Sequence, residues 1–254
     1  MTPEAIAAAI LANQRARRAI PADWPFAPAD EAAGHAAQRA LAALMGAEPP
    51  AGFKVGAIAP RMQQYLGVFA PIAGFVAAPD LNRGHYRFAD YVAPGVECEI
   101  GLRLARDLPA GPTSLEAASA AVGEVFAAIE LVDNRYEDFG KSGPAVLIAD
   151  RMFQAGGVTG APVRDWRGLD LPSLLGTIAV DGEVRDQGPG SELMGHPFKV
   201  LAWLAASPLA QAFGGLKAGQ VVFLGSVTPP LWLKGPGRIT VAFEGLGEAS
   251  LTLV

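Results

Sequence analysis

Helical spacing of apolar residues marks the first fifty positions of the chain. Isoleucine, leucine and alanine recur every three or four residues from Thr2 to about Arg18, where Thr2-Pro3 supplies a cap and a favoured first-turn proline. Prolines then interrupt the pattern until Asp30, which can cap a second alanine-rich helix that ends near Gly46. We therefore predict a helical segment over residues 1–50.

After Gly52 the pattern changes to short apolar runs separated by glycine, proline and asparagine, which is typical of strands and turns. The predicted strands cover residues 52–58, 96–105, 127–133, 157–162, 174–180, 221–224, 238–243 and 248–253. Two helices interrupt them, at about 113–126 and 197–206. Grouped strands with few helices between them favour an α+β fold over a regular doubly wound sheet. We predict that residues 51–254 form one compact catalytic unit after the helical segment.

The composition is that of a compact protein, and the charge excludes one class of partner. Hydrophobic residues make up 51% of the 254 positions and charged residues 18%. A net charge of -5 without a basic run argues against a nucleic-acid partner. No apolar run approaches the roughly 20 residues that span a bilayer, and the first arginines follow the apolar stretch instead of preceding it, unlike a signal peptide. The single cysteine, Cys98, cannot form an internal disulfide. The sequence thus predicts a cytoplasmic protein with no membrane partner.

Two glutamates stand two positions apart in the apolar run 95–102. On a strand, Glu97 and Glu99 project from the same face and could share one cation. The residues that alternate with them, Val96, Cys98 and Ile100, form a clean apolar face, so the glutamates could equally be its solvated other side. Taken alone, the pattern favours the solvated face.

A third carboxylate, Glu130, changes this balance. It stands in the run 127–132, which is apolar on both sides and is therefore predicted to be buried on both faces. A buried carboxylate requires a partner. Arg135 or Lys54 could provide an ion pair, and a metal ion shared with Glu97 and Glu99 is the other possibility. Three carboxylates suit the hard ions Mg²⁺ or Mn²⁺ better than zinc.

Lys54 and two glycine-rich turns are further candidates. Lys54 lies between apolar residues and glycines, where a desolvated lysine can act as an acid or base, although its ammonium could equally reach water. The turn around Ser191 leads into the helix at 197–206, so its amides either face an anion or simply cap the helix. The turn at 224–229 places Ser226 after a strand, where its hydroxyl could line the same pocket.

Several common motifs are absent from the sequence. It has no Walker-type phosphate loop, no G-x-G-x-x-G after a strand, no G-x-S-x-G elbow and no paired cysteine and histidine zinc motif. Nucleotide-dependent and serine-hydrolase activities therefore lose most of their support.

From about Gly52 to its end, the sequence resembles the 2-keto-4-pentenoate hydratase group of the fumarylacetoacetate hydrolase superfamily. In chain order, the matching motifs are Lys54-Val55-Gly56, Leu66-Gly67-Val68, Glu97-Cys98-Glu99, Arg106-Asp107-Leu108-Pro109, Ile129-Glu130-Leu131-Val132-Asp133-Asn134-Arg135, Ala149-Asp150, Gly195-His196-Pro197 with Ala202-Trp203-Leu204-Ala205, and Leu224-Gly225-Ser226. Their order and spacing together are specific for the superfamily.

The resemblance implies a fold, a site and an assembly. It implies a rolled, mixed β-sheet core and a homo-oligomer. It implies that Glu97, Glu99 and Glu130 bind the metal, and that Lys54 and Asp80 are catalytic. Ser191, Ser226 and Asp150 are the predicted substrate-binding residues.

One departure from the family pattern concerns the substrate. After Ala149-Asp150, relatives often continue with asparagine and small or hydroxylic residues, whereas this chain has Arg151-Met152-Phe153, a larger and differently charged wall. The hydrolase branch also supplies a His-Glu pair that activates water, and neither His35 nor His85 has a glutamate three residues on. Hydrolysis of a carbon-carbon bond is therefore less favoured than hydration.

The resulting hypothesis is a metal-dependent hydratase that adds water to a short unsaturated 2-oxo or 2-hydroxydienoic acid and gives a 4-hydroxy-2-oxo acid. A 2-oxo acid decarboxylase, of the 4-oxalocrotonate type, is the nearest alternative, and an acylpyruvate-type hydrolase is another. A hypothesis from a different class is a non-catalytic 2-oxo acid-binding or partner subunit. It is supported by Arg151-Met152-Phe153, where the chain departs from the family pattern.

Overall fold

The computed structural model describes all 254 residues, and two capped helices open the chain. The Thr2 hydroxyl accepts a hydrogen bond from the Ala5 amide at the start of the first helix, and the Asp30 carboxylate accepts one from the Ala33 amide at the start of the second. Both predicted helices are confirmed. The helices are α1 (Pro3–Ala16), α2 (Glu31–Leu44), α3 (Pro60–Leu66), α4 (Leu115–Ala121), α5 (Phe139–Ser142), α6 (Pro144–Ala149), α7 (Pro197–Ala206) and α8 (Pro208–Ala212). None of them is long and apolar enough to cross a membrane.

The strands form one large mixed sheet and one smaller antiparallel sheet. The bounds are β1 (Gly52–Gly56), β2 (Ile72–Val76), β3 (Pro94–Leu104), β4 (Val122–Asp133), β5 (Gln154–Thr159), β6 (Leu175–Val180), β7 (Glu183–Pro189), β8 (Val221–Ser226), β9 (Leu231–Trp232), β10 (Gly237–Phe243) and β11 (Gly247–Leu253). The large sheet has the order β2-β1-β8-β3-β4-β5, with β9 beside β3, and the small sheet has the order β11-β10-β6-β7. Only β1 and β8 pair in parallel.

The large sheet curls until its two edges approach each other. Leu81, just beyond β2, forms a bridge with Gly157 of β5, and the Asn82 amide donates to the Gly157 carbonyl at 2.8 Å. Inside the curl, the Phe223 ring of β8 occupies the space above Gly157, where a Cβ would stand 2.3 Å from a ring carbon. A buried apolar cluster (Val76, Phe126, Ala128, Val221 and Phe223) therefore fills one part of the interior, and the rest is open to polar side chains.

The helical segment and the sheets share one core. Ile6, Ile10 and Leu41 of the first two helices belong to the same buried cluster as Val96 and Ile129 of the large sheet. The mixed, curled sheet confirms the predicted fold class. The division into residues 1–50 and 51–254 stays a prediction.

The helix predicted at 113–126 is wrong over its last five residues. Helix α4 ends at Ala121, and Val122 begins β4, which pairs with β3 from Leu104 onward. Apolar residues at 122, 125 and 126 satisfy a helical pattern as well as a strand pattern. Pairing with the long neighbour β3 decides the outcome in favour of the strand.

Three strands were absent from the prediction, and one of them had a clear signal. Asp181 and Gly182 both have positive φ, 53° and 82°, and they join β6 to β7 as a two-residue hairpin turn. Strand β7 is mostly charged and exposed, so it has no apolar pattern. Strand β2, by contrast, is buried on both faces, and β9 has only two residues.

Candidate metal centre

Strand pairing brings the three predicted metal ligands together. Glu97 of β3 lies directly opposite Glu130 of β4, and Glu99 projects from the same face of β3. One carboxylate oxygen from each of the three side chains lies within 4.8 Å of the others. Residues far apart in sequence thus converge at one point inside the curled sheet.

The carboxylates lie in an environment that disfavours their charge. Glu99 and Glu130 are fully buried, which rules out the solvated face that the alternating pattern around Glu99 allowed. Burial, with the charge of Glu130 next in importance, raises the pKa of Glu97 to about 8. Burial and the charges of Glu130 and Glu97 raise the pKa of Glu99 well above its usual range. A cation bound among these groups would relieve that cost.

Hydrogen bonding leaves several of the carboxylate oxygens without partners. The Gly225 amide donates to Glu99 Oε2 at 2.8 Å, but Glu99 Oε1 and both oxygens of Glu130 are buried with no hydrogen bond. Buried acceptors of this kind are rare unless an ion or water satisfies them. The residues present therefore fit a divalent cation with oxygen ligands.

Lys54 provides the only nearby positive charge among the contacts of these glutamates. It is almost fully buried, and its Nζ lies 3.1 Å from Glu130 Oε1, an ion pair without hydrogen-bond alignment. The alternative of an ion pair between Glu130 and Lys54 is thus present, whereas Arg135 pairs elsewhere. One lysine facing three carboxylates leaves two negative charges when all are ionised, which matches the charge of a divalent ion.

Asp80, the second predicted catalytic residue, lies between two arginines. It ends a short 3-10 helix that follows β2. Its Oδ1 lies 3.0 Å from Arg83 Nη2 and its Oδ2 lies 3.1 Å from Arg151 Nη1. Arg83 was not identified from the sequence; its position three residues after Asp80 was the only available signal.

The segment that departs from the family pattern adopts a strained backbone. Arg151, Met152 and Phe153 have φ angles of 63°, 50° and 66°, the left-handed region that residues with a Cβ rarely enter. The turn brings Met152 to the site, since a Cβ on Gly56 would lie 3.2 Å from both Met152 Cγ and Lys54 Nζ. This segment therefore lines the wall beside Lys54.

Asp150 lies in a separate buried cluster. Its Oδ2 accepts hydrogen bonds from Arg135 Nε at 2.9 Å and from the Tyr136 hydroxyl at 2.8 Å, and its Oδ1 accepts one from Gln14 Nε2 at 2.6 Å. Both carboxylate oxygens are thus engaged within the protein. This arrangement supports a structural role for Asp150, and its contact with substrate stays a prediction.

The two predicted serines have different positions. Ser226 pairs with Glu99 across the strands, and its Oγ accepts a hydrogen bond from the Cys98 amide at 3.1 Å, so it adjoins the carboxylates. Ser191 is exposed, and its neighbour Gly190 packs on Ile100, on the face of β3 opposite to the glutamates. The structure does not bring Ser191 to the site.

The turn before α7 serves as a helix cap. His196 Nδ1 accepts a hydrogen bond from the Phe198 amide at 3.1 Å at the start of the helix. Of the two possibilities for this turn, anion binding or capping, the structure provides the cap.

Comparison with known proteins agrees with this fold. The model of the fumarylacetoacetate (FAA) hydrolase C-terminal family matches residues 72–254. The chain is 33% identical over 199 residues to a 2-keto-4-pentenoate hydratase of Paraburkholderia phymatum, which covers 78% of this chain and 75% of the relative. It is 30% identical over 207 residues to a 4-oxalocrotonate decarboxylase of Pseudomonas putida, covering 80% and 77%. The structure of 4-oxalocrotonate decarboxylase from Pseudomonas putida G7, complexed with magnesium and adipate, has a TM-score of 0.89 at 25% identity and covers 99% of this chain and 97% of that one.

The chain belongs to the fumarylacetoacetate hydrolase family. It is an enzyme of the lyase class, and the resemblance deduced from its motifs is confirmed. Its relatives include both hydratases and decarboxylases, so similarity alone does not choose between the two reactions. The cytoplasmic location and the homo-oligomeric state stay predictions.

Proposed function

We propose that this enzyme is a metal-dependent hydratase that acts on a short unsaturated 2-oxo acid. Two observations carry the proposal: one carboxylate oxygen from each of Glu97, Glu99 and Glu130 lies within 4.8 Å of the others, and three buried oxygens of Glu99 and Glu130 have no hydrogen-bond partner. Glu97, Glu99 and Glu130 would hold the cation, and their oxygen ligands favour Mg²⁺ or Mn²⁺. A bound cation would supply Lewis-acid stabilisation of the negative charge that develops on the 2-oxo oxygen.

Lys54 and Asp80 are the proposed proton carriers. In ketonisation of a 2-hydroxy-2,4-dienoic acid, the hydroxyl proton leaves and a proton adds at C5, which gives a conjugated 2-oxo-3-enoic acid. In hydration, water then loses a proton as its oxygen bonds to C4, and a proton adds at C3. Lys54 Nζ, buried beside the carboxylates, and the Asp80 carboxylate, held by two guanidinium groups, would donate and accept these protons.

Decarboxylation is the second candidate, because the solved structure with a TM-score of 0.89 is a 4-oxalocrotonate decarboxylase. The same stabilisation of charge on the 2-oxo oxygen would assist the loss of carbon dioxide. The products separate the two reactions. Hydration raises the mass of the substrate by one water, whereas decarboxylation lowers the mass and releases gas.

Replacement of Glu130 tests the metal site and the activity together. Loss of a group that merely orients a metal ligand lowers affinity or activity about 10–100-fold, so we expect Glu130→Ala, which removes a ligand, to lower the Mn²⁺ affinity and the hydration of 2-hydroxypenta-2,4-dienoate by more than about 100-fold. Calorimetry and the absorbance of the dienol measure the two effects. Glu248→Ala, an exposed glutamate on β11, is the matched control and should change neither. Undiminished turnover of Glu130→Ala would remove this residue from the mechanism.

A further inference from the structure

The guanidinium of Arg151 is buried with most of its donors unused. The residue is 3% exposed, and both of its hydrogen bonds come from Nη1, to Asp80 Oδ2 at 3.1 Å and to Gln154 Oε1 at 2.9 Å. Its Nε is buried without an acceptor, and Nη2 makes no hydrogen bond. A guanidinium has five N–H donors, so three of them lack a partner in the protein. The buried Nε–H without a partner indicates a missing acceptor.

The unused donors lie on one edge of the guanidinium. Nε–H and the adjacent Nη2–H point in parallel, and this pair is the fork that binds a carboxylate through two hydrogen bonds. One planar face of the guanidinium stacks over the Phe75 ring, with Arg151 Cζ 4.8 Å from the ring centre. The chemistry of the open edge therefore selects an anion with two oxygens in one plane.

Arg151 begins at the wall of the catalytic site. Its Cβ would lie 3.1 Å from a Cβ placed on Gly74, the β2 residue that pairs with Lys54. The next residue, Met152, adjoins Lys54 Nζ above Gly56. A ligand that contacts Lys54 therefore has Arg151 as a near neighbour along the edge strand of the sheet.

The charges around Arg151 leave an excess of positive charge. Arg151 and Arg83 share the single carboxylate of Asp80, so this group of three carries one net positive charge when all are ionised. The glutamates, with Lys54, form a negative group at a different part of the site. The site thus has a negative group at the glutamates and a positive group formed by Arg151, Arg83 and Asp80, which we call the anion pole.

A rigid frame holds the anion pole in place. The Arg135 guanidinium donates to the carbonyls of Asp150, Phe153 and Gln154 at 3.1–3.4 Å, and so grips both ends of the left-handed turn that carries Arg151. Left-handed conformations of residues with a Cβ persist only where the surroundings fix them, and they cluster at functional sites. A guanidinium fixed before binding loses little entropy when the ligand arrives.

From these observations, and resting on the proposed function, we propose that Arg151 binds a second carboxylate, at the far end of the substrate, through Nε and Nη2. The substrate is then a dicarboxylic 2-oxo acid, with its 2-oxo end toward the glutamates and its other end toward Arg151. The contact also opposes decarboxylation at the far end, because a carboxylate stabilised as an anion in the ground state must lose that interaction to leave as neutral carbon dioxide.

Two saturated ligands that differ only in the far carboxylate test the inference by binding alone. 2-Oxoadipate and 2-oxohexanoate have the same chain length and lack the double bond that hydration requires. With Mg²⁺ present, we expect calorimetry to give at least about tenfold tighter binding of the diacid to the wild-type protein, the ratio expected for one hydrogen-bonded charge pair. Arg151→Met should abolish this preference, so that the diacid and the monoacid bind with equal affinity, whereas the matched control Arg185→Met, at an exposed position of β7, should keep the preference.

A second variant protects the test against misfolding. Arg151→Lys keeps a positive charge beside Asp80 but lacks the planar fork, so its preference for the diacid should fall while its Mg²⁺ affinity stays that of the wild type. Equal binding of the two acids by the wild type, or a preference that survives in both Arg151 variants, would overturn the inference and leave the proposed function standing. If neither acid binds in the presence of Mg²⁺, both proposals are overturned.

Discussion

Arg135 and Asp150 allow the contribution of a buried ion pair to be measured against an exposed one of the same length. Arg135 Nε lies 2.9 Å from Asp150 Oδ2, and Arg17 Nη2 lies 2.9 Å from Asp90 Oδ1. The buried side chains are 5% and 0% exposed, and the surface side chains 51% and 34%. We expect Arg135→Met to be strongly destabilising and Arg17→Met to have almost no effect.

The expected magnitudes follow from burial. Removing one partner of a buried pair leaves the other charge uncompensated and costs about 3–5 kcal/mol, whereas an exposed pair is worth about 0–1 kcal/mol. Arg135→Met also removes the donors that hold the carbonyls of residues 150, 153 and 154. The free energy of unfolding of a domain of this kind is only about 5–15 kcal/mol, so Arg135→Met should remove a large part of it.

Urea unfolding curves of the two variants measure this difference as a change in the free energy of unfolding. A double variant, Arg135→Met with Asp150→Asn, should recover part of the loss, because it no longer buries an unpaired carboxylate. If Arg135→Met proves no more destabilising than Arg17→Met, burial does not govern the strength of these pairs and the account of the turn at 151–153 fails with it.

Three further predictions concern pH and packing. In the metal-free protein, burial and the Glu130 charge raise the pKa of Glu97 from 4.5 to about 8, so the folded state holds a proton that the unfolded state releases. The free energy of unfolding should therefore fall as the pH rises from 4.5 to about 8. The variant Glu97→Gln should remove much of this pH dependence. Since a cation competes with the same proton, Mn²⁺ affinity measured by calorimetry should rise as the pH passes through about 8 with proton release, and a flat profile would contradict the assignment. Gly157→Ala places a methyl group 2.3 Å from the Phe223 ring and should lower the free energy of unfolding by about 1–3 kcal/mol. The control Gly168→Ala places a methyl group with no atom within 4 Å and should leave the free energy of unfolding unchanged. Equal effects of the two substitutions would refute the packing argument.

The carboxylate cluster was predictable from local patterns together with the family resemblance. The two-residue spacing of Glu97 and Glu99 fixes their common face on any strand, and the apolar run around Glu130 indicates burial at that position. The family resemblance then joined residues that are thirty positions apart. Only the pairing of Glu97 with Glu130 in direct register required the structure.

The anion pole was not predictable in the same way. Arg83, Asp80 and Arg151 meet only because the edges of the curled sheet approach each other, and no local pattern encodes that closure. The left-handed turn has no glycine or asparagine, the residues that usually reveal positive φ, and its shape depends on the distant Arg135. The sequence showed that residues 151–153 depart from the family pattern, but not what the departure does.

The three acids face inward only as long as strands β3 and β4 keep their alignment. Side chains alternate from face to face along a strand, so a slip of β3 by one residue would turn Glu97 and Glu99 outward and put Cys98 in their place. Such a slipped form would retain most of its backbone hydrogen bonds and yet lose its ligands for the cation. Metal binding in this protein therefore requires the correct register of β3 and β4. A cation that binds only the chain in the correct register would stabilise that form relative to the slipped form.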